Sequence, residues 1–278
     1  LPPVLGPEDP KGFNIMSGSH FTTAARVNLE EVHRQALNSP VLAFATSVRM
    51  GEELPSGSGA GYLDMDGDVD AAAETYVDMQ RKGCPDSVAI TWRNVDRQHM
   101  NATIRRLLGH TSPIPEQGER LMSCVNAHVL RLMNGETATV TAIDAEPKSY
   151  DVEVVDRVNE ERVVTRRTVK GYDATLRRFD GTFVRVYLVL DWLGVAKSTG
   201  FVREHDVYWA LRNIGVRNAI TVDWGYCLTA HKAQGSEWEN VVIYLPRRAA
   251  RQGDFRRWLY TAATRASKGL VVVHAPSI

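Results

Sequence analysis

The 278-residue sequence has no excess charge of either sign: 33 Lys plus Arg balance 33 Asp plus Glu. This excludes a global field for polyanions, so any polyanion contact must come from a local patch. Cysteine is scarce. Cys84, Cys124 and Cys227 are too far apart for paired metal ligands, and their odd number gives no disulfide framework. A reducing, cytoplasmic setting is the expectation. No run of 18 apolar residues occurs, which excludes a membrane-spanning helix and argues against a membrane as partner. There is no charged-then-apolar leader and no internal repeat. Asp64, Asp66, Asp68 and Asp70 alternate like the start of a calcium loop. The glycine falls at the fourth place (Gly67), Val69 at the sixth and Thr75 at the twelfth, so no EF-hand is read and no metal site is expected. The motif GxxxxGK[ST] is missing, and SGSGAG, residues 56–61, has no Lys after it.

At 44% hydrophobic and 24% charged, the composition is that of an ordinary globular protein long enough for about two domains. The opening LPPVLGPEDP reads as the interior of a longer chain, and residues 1–18 as loop. Apolar spacing predicts helices over residues 22–34, 40–50, 71–81 and 94–108. Asp68 or Asp70 would cap the third, and Gly83 and Gly109 would follow the last two. PSGSGAGYLDMDGDVD between the second and third reads as a flexible acidic loop. SVAITW reads as a buried strand. From about Met122 short Val- and Thr-rich pieces alternate with turns, an all-β signature of a small barrel. A helix over 204–213 follows, and the α/β rhythm resumes at Ala219. The expected fold class is therefore α/β, interrupted by a β insertion.

Two segments carry candidate chemistry. LTAHKAQGSEWENVVIY, residues 228–244, places a polar turn between two apolar runs. Thr229 to Gln234 fits one helical turn, closed by Gly235 in the left-handed conformation. Thr, His and Lys on such a turn are good donors to phosphate oxygens, and Glu237 is placed to accept from a sugar hydroxyl. A plain polar loop fits the same pattern. The second segment, Phe255 to Lys268, reads as an amphipathic helix with Arg265 in its last turn. There the cation suits either the helix dipole or a phosphate. The run RRAARQGDFRR, residues 247–257, fits a nucleic-acid contact or a solvated face.

Together these pieces resemble the C-terminal half of a superfamily 1 DNA helicase of the RecD and Dda type. DWGYCLTAHKAQGSEWENVVI is similar to the family's motif V and YTAATRASKGLVVV to motif VI. VHRQALNSPVL is similar to the motif after the third, AITWRNVDRQHMN to motif IV, and LPPV to the tail of motif III. The β insertion entered through NGETATV looks like the SH3-like barrel of that branch.

The resemblance implies a RecA-like parallel sheet with helices on both faces. Its domain would cover 19–133 and 214–278, with 134–213 as the insertion and 1–18 as the tail of an upstream motor domain. It implies that Arg34 and Arg265 contact the γ-phosphate of ATP, and that His33, Gln234, Gly235 and Glu237 line the nucleotide. Thr229, His231, Lys232, Thr91 and Asn94 would contact single-stranded DNA. ATP with Mg2+ would be used by the longer enzyme, with the Mg2+ ligands elsewhere. Partners would be single-stranded DNA, an upstream RecA-like domain of the same polypeptide, and other DNA-processing proteins through the insertion. Travel would be 5′ to 3′. Without a phosphate loop this chain should hydrolyse no ATP alone. A non-catalytic nucleic-acid-binding or docking module, or part of an RNA helicase, are the rival readings.

Overall fold

The computed structural model describes residues 39–52, 58–59, 61–158, 161–190, 193, 204–246 and 253–275. The expected first helix, with His33 and Arg34, and most of the arginine run lie outside these residues. Among the described residues no helix is long and apolar enough to cross a membrane.

The fold is mixed α/β. One sheet contains β1 (Ser58–Gly59), β2 (Tyr62–Asp66), β3 (Ser87–Thr91), β10 (Cys227–Thr229), β11 (Trp238–Leu245) and β12 (Ala266–His274), in the order β1-β2-β12-β11-β3-β10. All neighbours are parallel except the short β1–β2 pair. The central strands read as continuous apolar runs because both faces are covered. Val88, Ile90, Val241, Ile243 and Val272 pack on α1 (Pro40–Met50) and α5 (Phe255–Ala263). Ala89, Val242, Tyr244 and Val273 share the opposite core with Tyr76 of α2 (Val69–Arg81) and Met100 of α3 (Asn94–Leu107). Asp68 is the cap of α2, its Oδ1 accepting from the backbone N–H of Asp70 at 3.1 Å and Ala71 at 2.9 Å.

The segment expected as a flexible acidic loop is partly structure. Tyr62–Asp66 is a strand paired parallel to β12, from Leu270 opposite Tyr62 to His274 opposite Asp66. Its carboxylates hid it, because a strand near a sheet edge keeps polar side chains where a central strand cannot. The helix expected to reach Lys268 stops at Ala263, and the chain re-enters the sheet at Ala266. Arg265 therefore lies on the link between helix and strand.

The second sheet is a closed ring. β4 (Arg120–Ser123), β5 (Thr137–Ile143), β7 (Glu161–Arg178), β8 (Phe183–Val189) and β9 (Ala219–Trp224) pair in a cycle, and β6 (Lys148–Val158) extends β7 as a long hairpin. Alternation defines its core: Ala138, Val140, Ala174, Leu176, Val186 and Leu188 point inward, while the threonines of TATVTAI point out. α4 (Glu204–Asn213) packs Val207 and Leu211 against Val152, Val154 and Val169 of the hairpin. The ring takes in β4 and β9, which lie outside the 134–213 span expected for the insertion. Neither short strand announces which sheet it joins, and closure of the ring decides it.

Barrel and parallel-sheet unit are joined through Arg105 of α3. Its guanidinium lies 3.6 Å over the Trp224 ring of β9 and makes two bonds, 2.6 and 3.0 Å, to the fully buried Glu119 carboxylate. Removing one partner of a buried pair leaves an uncompensated charge. Glu119→Ala should therefore cost about 3–5 kcal/mol of stability, against about 1 kcal/mol for loss of the cap in Asp68→Ala. Denaturant titration of the two variants checks this order.

Candidate functional site

The turn after β10 spans the parallel sheet. Thr229 pairs with Thr91 at the C-terminal end of β3. Trp238 pairs with Ala266 at the start of β12, and Asn240 with Ser87 at the start of β3. Residues 230–237 thus carry the chain from the C-terminal edge of the sheet to its N-terminal edge. The expected helical turn is present: the Ala233 N–H donates to Thr229 O at 3.0 Å and the Ser236 N–H to Ala233 O at 3.2 Å. Gly235 ends it with φ +88°.

At the C-terminal edge lies a cleft of about 530 Å3 that brings together Asn94, Thr229, His231 and Lys232. Four of the five residues expected to meet a polyanion backbone therefore share one wall. Thr91 does not join them: it is fully buried in β3, with no partner for its Oγ1 among the described residues.

The cleft also contains residues that motif spacing could not single out. Trp92 lines it and tilts against Trp258 with ring centroids 5.1 Å apart. Arg97 and Asp223 form a buried pair at 2.7 Å, and the Arg97 Nε–H donates to Asn94 Oδ1 at 3.2 Å. Asn126 and Asn134 come from the entry to the barrel. The Lys232 ammonium donates to Asn134 Oδ1. Gly135, at φ +96°, packs so closely that a Cβ there would lie 2.3 Å from the Lys232 carbonyl oxygen. Asn134-Gly135 reads in sequence only as a turn; its docking on the 229–235 turn is a product of the tertiary fold.

His231 is held below the ordinary histidine pKa by desolvation. It is therefore mostly neutral at pH 7, leaving Lys232 as the main cation of that wall.

At the N-terminal edge Gly235 and Glu237 are exposed, as is Gln234. Half-buried Arg265 stands beside them. Its guanidinium donates to Ser236 O at 3.0 Å, Thr261 O at 3.1 Å and the Thr264 hydroxyl at 3.2 Å. The bond to Ser236 O places the guanidinium beside the edge that carries Gly235 to Glu237. As for metal ligands among the described residues, His110, Glu116 and Glu119 have ligand atoms within 4.8 Å of one another. Arg105 spans both Glu119 oxygens, which makes this cluster a salt-bridge network.

Residues 225–273 match the family model of the UvrD-like helicase C-terminal domain. The match covers the turn, β11, α5, Arg265 and most of β12, and is less than a fifth of the chain. Similar solved structures include the Pif1 helicase from Bacteroides in complex with ADP-AlF3 and ssDNA, 16% identical over 88% of this chain and 51% of that chain, TM-score 0.46. The Pif1 helicase from Candida albicans is 17% identical over 93% of this chain and 58% of its own, TM-score 0.48. Bacteroides Pif1 bound to ssDNA is 14% identical over 87% and 50%, TM-score 0.44. The chain spans between half and three fifths of the length of these structures. No curated protein sequence matches it.

If the 530 Å3 cleft holds a phosphate backbone, Lys232→Ala should weaken binding of an oligothymidylate and lower the salt slope by about one. Fluorescence anisotropy across a salt series measures both. A bound polyanion favours protonated His231, so affinity should rise as pH falls from 7 to 5, and His231→Gln should flatten that rise. In the free protein the lowered pKa acts with the opposite sense. Its contribution to stability is full above the unfolded histidine pKa and shrinks as pH falls through it.

Proposed function

We propose that the chain is the C-terminal motor portion of a superfamily 1 DNA helicase or translocase of the RecD and Dda type. On this reading the parallel sheet is the second RecA-like domain and the barrel its SH3-like insertion. The observation that carries it is the path of residues 230–237, which links the polar cleft at one edge of the sheet to Arg265 at the other. A motor needs one stiff element touching both fuel and track, and this turn meets that need. The helicase-type match over residues 225–273 supports it, because it covers the turn and Arg265 together.

In the longer enzyme, ATP with Mg2+ binds between this domain and an upstream RecA-like domain, which supplies the phosphate loop and the Mg2+ ligands. Bound there, the nucleotide supplies the γ-phosphate whose hydrolysis drives the cycle. The residues on this side fit an anionic group: a half-buried guanidinium bonded to the Ser236 carbonyl, next to a backbone edge opened by Gly235. Arg265 acts as the arginine finger, neutralising charge on the transferring phosphoryl group, and Arg34 joins it. Glu237 accepts from the ribose, with His33, Gln234 and Gly235 lining the rest. Thr229, His231, Lys232 and Asn94 hold the backbone of single-stranded DNA. Closing and opening of the two domains moves that strand past the turn, 5′ to 3′. Other DNA-processing proteins dock on the insertion.

The test combines this chain with a first motor domain and measures strand-stimulated ATP hydrolysis. Arg265→Ala should lower the rate by about 10³-fold or more while strand affinity stays within about twofold. Hydrolysis at the unaltered rate would remove the finger assignment. Strand binding without stimulated hydrolysis in the wild-type pair would favour a binding module over a motor.

A further inference from the structure

The β7–β8 hairpin of the barrel exposes two aromatic rings where a folded domain gains nothing by exposing them. Phe179 is 82% and Phe183 65% accessible. Their surroundings form a pattern across four strands. Arg120 pairs with Thr139, Thr139 with Arg177, and Arg177 with Phe183. Residues directly opposite in antiparallel strands share a face, so these four form one row on the outer surface. Phe179 stands at the hairpin end of the same face, two residues on from Arg177. The Arg177 guanidinium has no ion pair or hydrogen bond among the described residues. Asp180, in the hairpin turn, is held by the Thr182 hydroxyl at 2.6 Å and by Arg178 at 3.1 Å.

Arg120, Thr139, Arg177 and Phe179 of this face line a second cleft of about 540 Å3, with Gly235, Ser236 and Glu237 of the turn also lining it; Phe183 stands beside it, opposite Arg177. The two clefts are lined by opposite ends of a single turn, His231 and Lys232 at one and Gly235 to Glu237 at the other.

We propose that the hairpin face is a second binding site for single-stranded nucleic acid, with bases stacked on Phe179 and Phe183 and a phosphate on Arg177. The proposal rests on the reading of the chain as part of a nucleic-acid motor and adds a contact to it. Exposed aromatic rings beside cations on a β surface are the means by which single strands are held without regard to sequence. The charge layout selects the strand over a free nucleotide. Asp86 and Glu136 also line the cleft and oppose a compact triphosphate set against the hairpin face. A strand, with one charge per nucleotide, can lay its phosphates along the arginine side and its bases on the rings.

The experiment measures binding of a fluorescein-labelled oligothymidylate to the 278-residue chain. Phe179→Ala combined with Phe183→Ala should lower affinity about tenfold or more, the effect of losing one or two stacked bases. Both rings are exposed, so circular dichroism should show the fold unchanged. Arg177→Gln should reduce the salt slope by about one, and a strand carrying 4-thiothymidine should crosslink to the peptide holding residues 177–185. Unchanged strand affinity in the double variant, with Lys232→Ala still weakened, would overturn the hairpin site and leave the first cleft standing. Unchanged affinity in both would overturn the motor reading as well. Loss of AMP or ATP binding with strand affinity intact would make the site one for mononucleotides and overturn the assignment to a strand.

Discussion

The structure depends on a constraint of path. Between Thr229 and Trp238 the chain must leave the C-terminal edge of a parallel sheet and re-enter at the N-terminal edge. A parallel sheet imposes such a return on every connection, usually through a full helix. Here one hydrogen-bonded turn and a left-handed glycine suffice, because β10 is only three residues long and lies at the sheet margin. The short route is held by two backbone bonds, Ala233 N–H to Thr229 O and Ser236 N–H to Ala233 O. On the proposed function, its Lys232 end would meet one ligand and its Glu237 end the other.

The barrel holds this turn in place. Its entry turn packs Gly135 on the Lys232 carbonyl, and Asn134 receives the Lys232 ammonium. The hairpin on the same barrel faces the other end of the turn across the second cleft. The barrel is itself tied to the parallel-sheet unit by Arg105, clamped between an indole face and a buried carboxylate. A buried pair of this kind costs desolvation and repays it only with good geometry. A stacked, doubly bonded guanidinium meets that condition and fixes one relative placement of the two sheets. The barrel therefore packs on the turn at its Lys232 end and faces the other end across the second cleft.

Much of this was legible from residue pattern. Continuous apolar runs marked β3 and β11, and spacing marked α1 to α4. The glycine after HKAQ marked a left-handed turn end, and alternation in TATVTAI marked a barrel strand. The elements that escaped were those whose stability comes from distant partners. Tyr62–Asp66 looks like a loop by composition and is a strand because β12 offers it a parallel edge. Helix α5 ends sooner than its residue pattern suggests, because Ala, Ser and Lys suit a helix as well as they suit the start of β12. Thr91, at the end of β3, is buried, and local pattern does not tell a strand's end from the surface above it.

The sequence by itself determined the chemistry available: a turn with His, Lys, Gln and Glu, an arginine one helix later, and the order of strands and helices around them. These are local properties, set by backbone preference and the period of apolar residues. Only the tertiary structure decided that the Lys wall gathers Trp92, Asn134 and the Arg97–Asp223 pair. It also decided that β4 and β9 close the ring and that Phe179 faces the far end of the turn. Each of those facts joins residues scores of positions apart, and such pairings are selected by the shared burial of the whole core, which no short stretch of chain encodes.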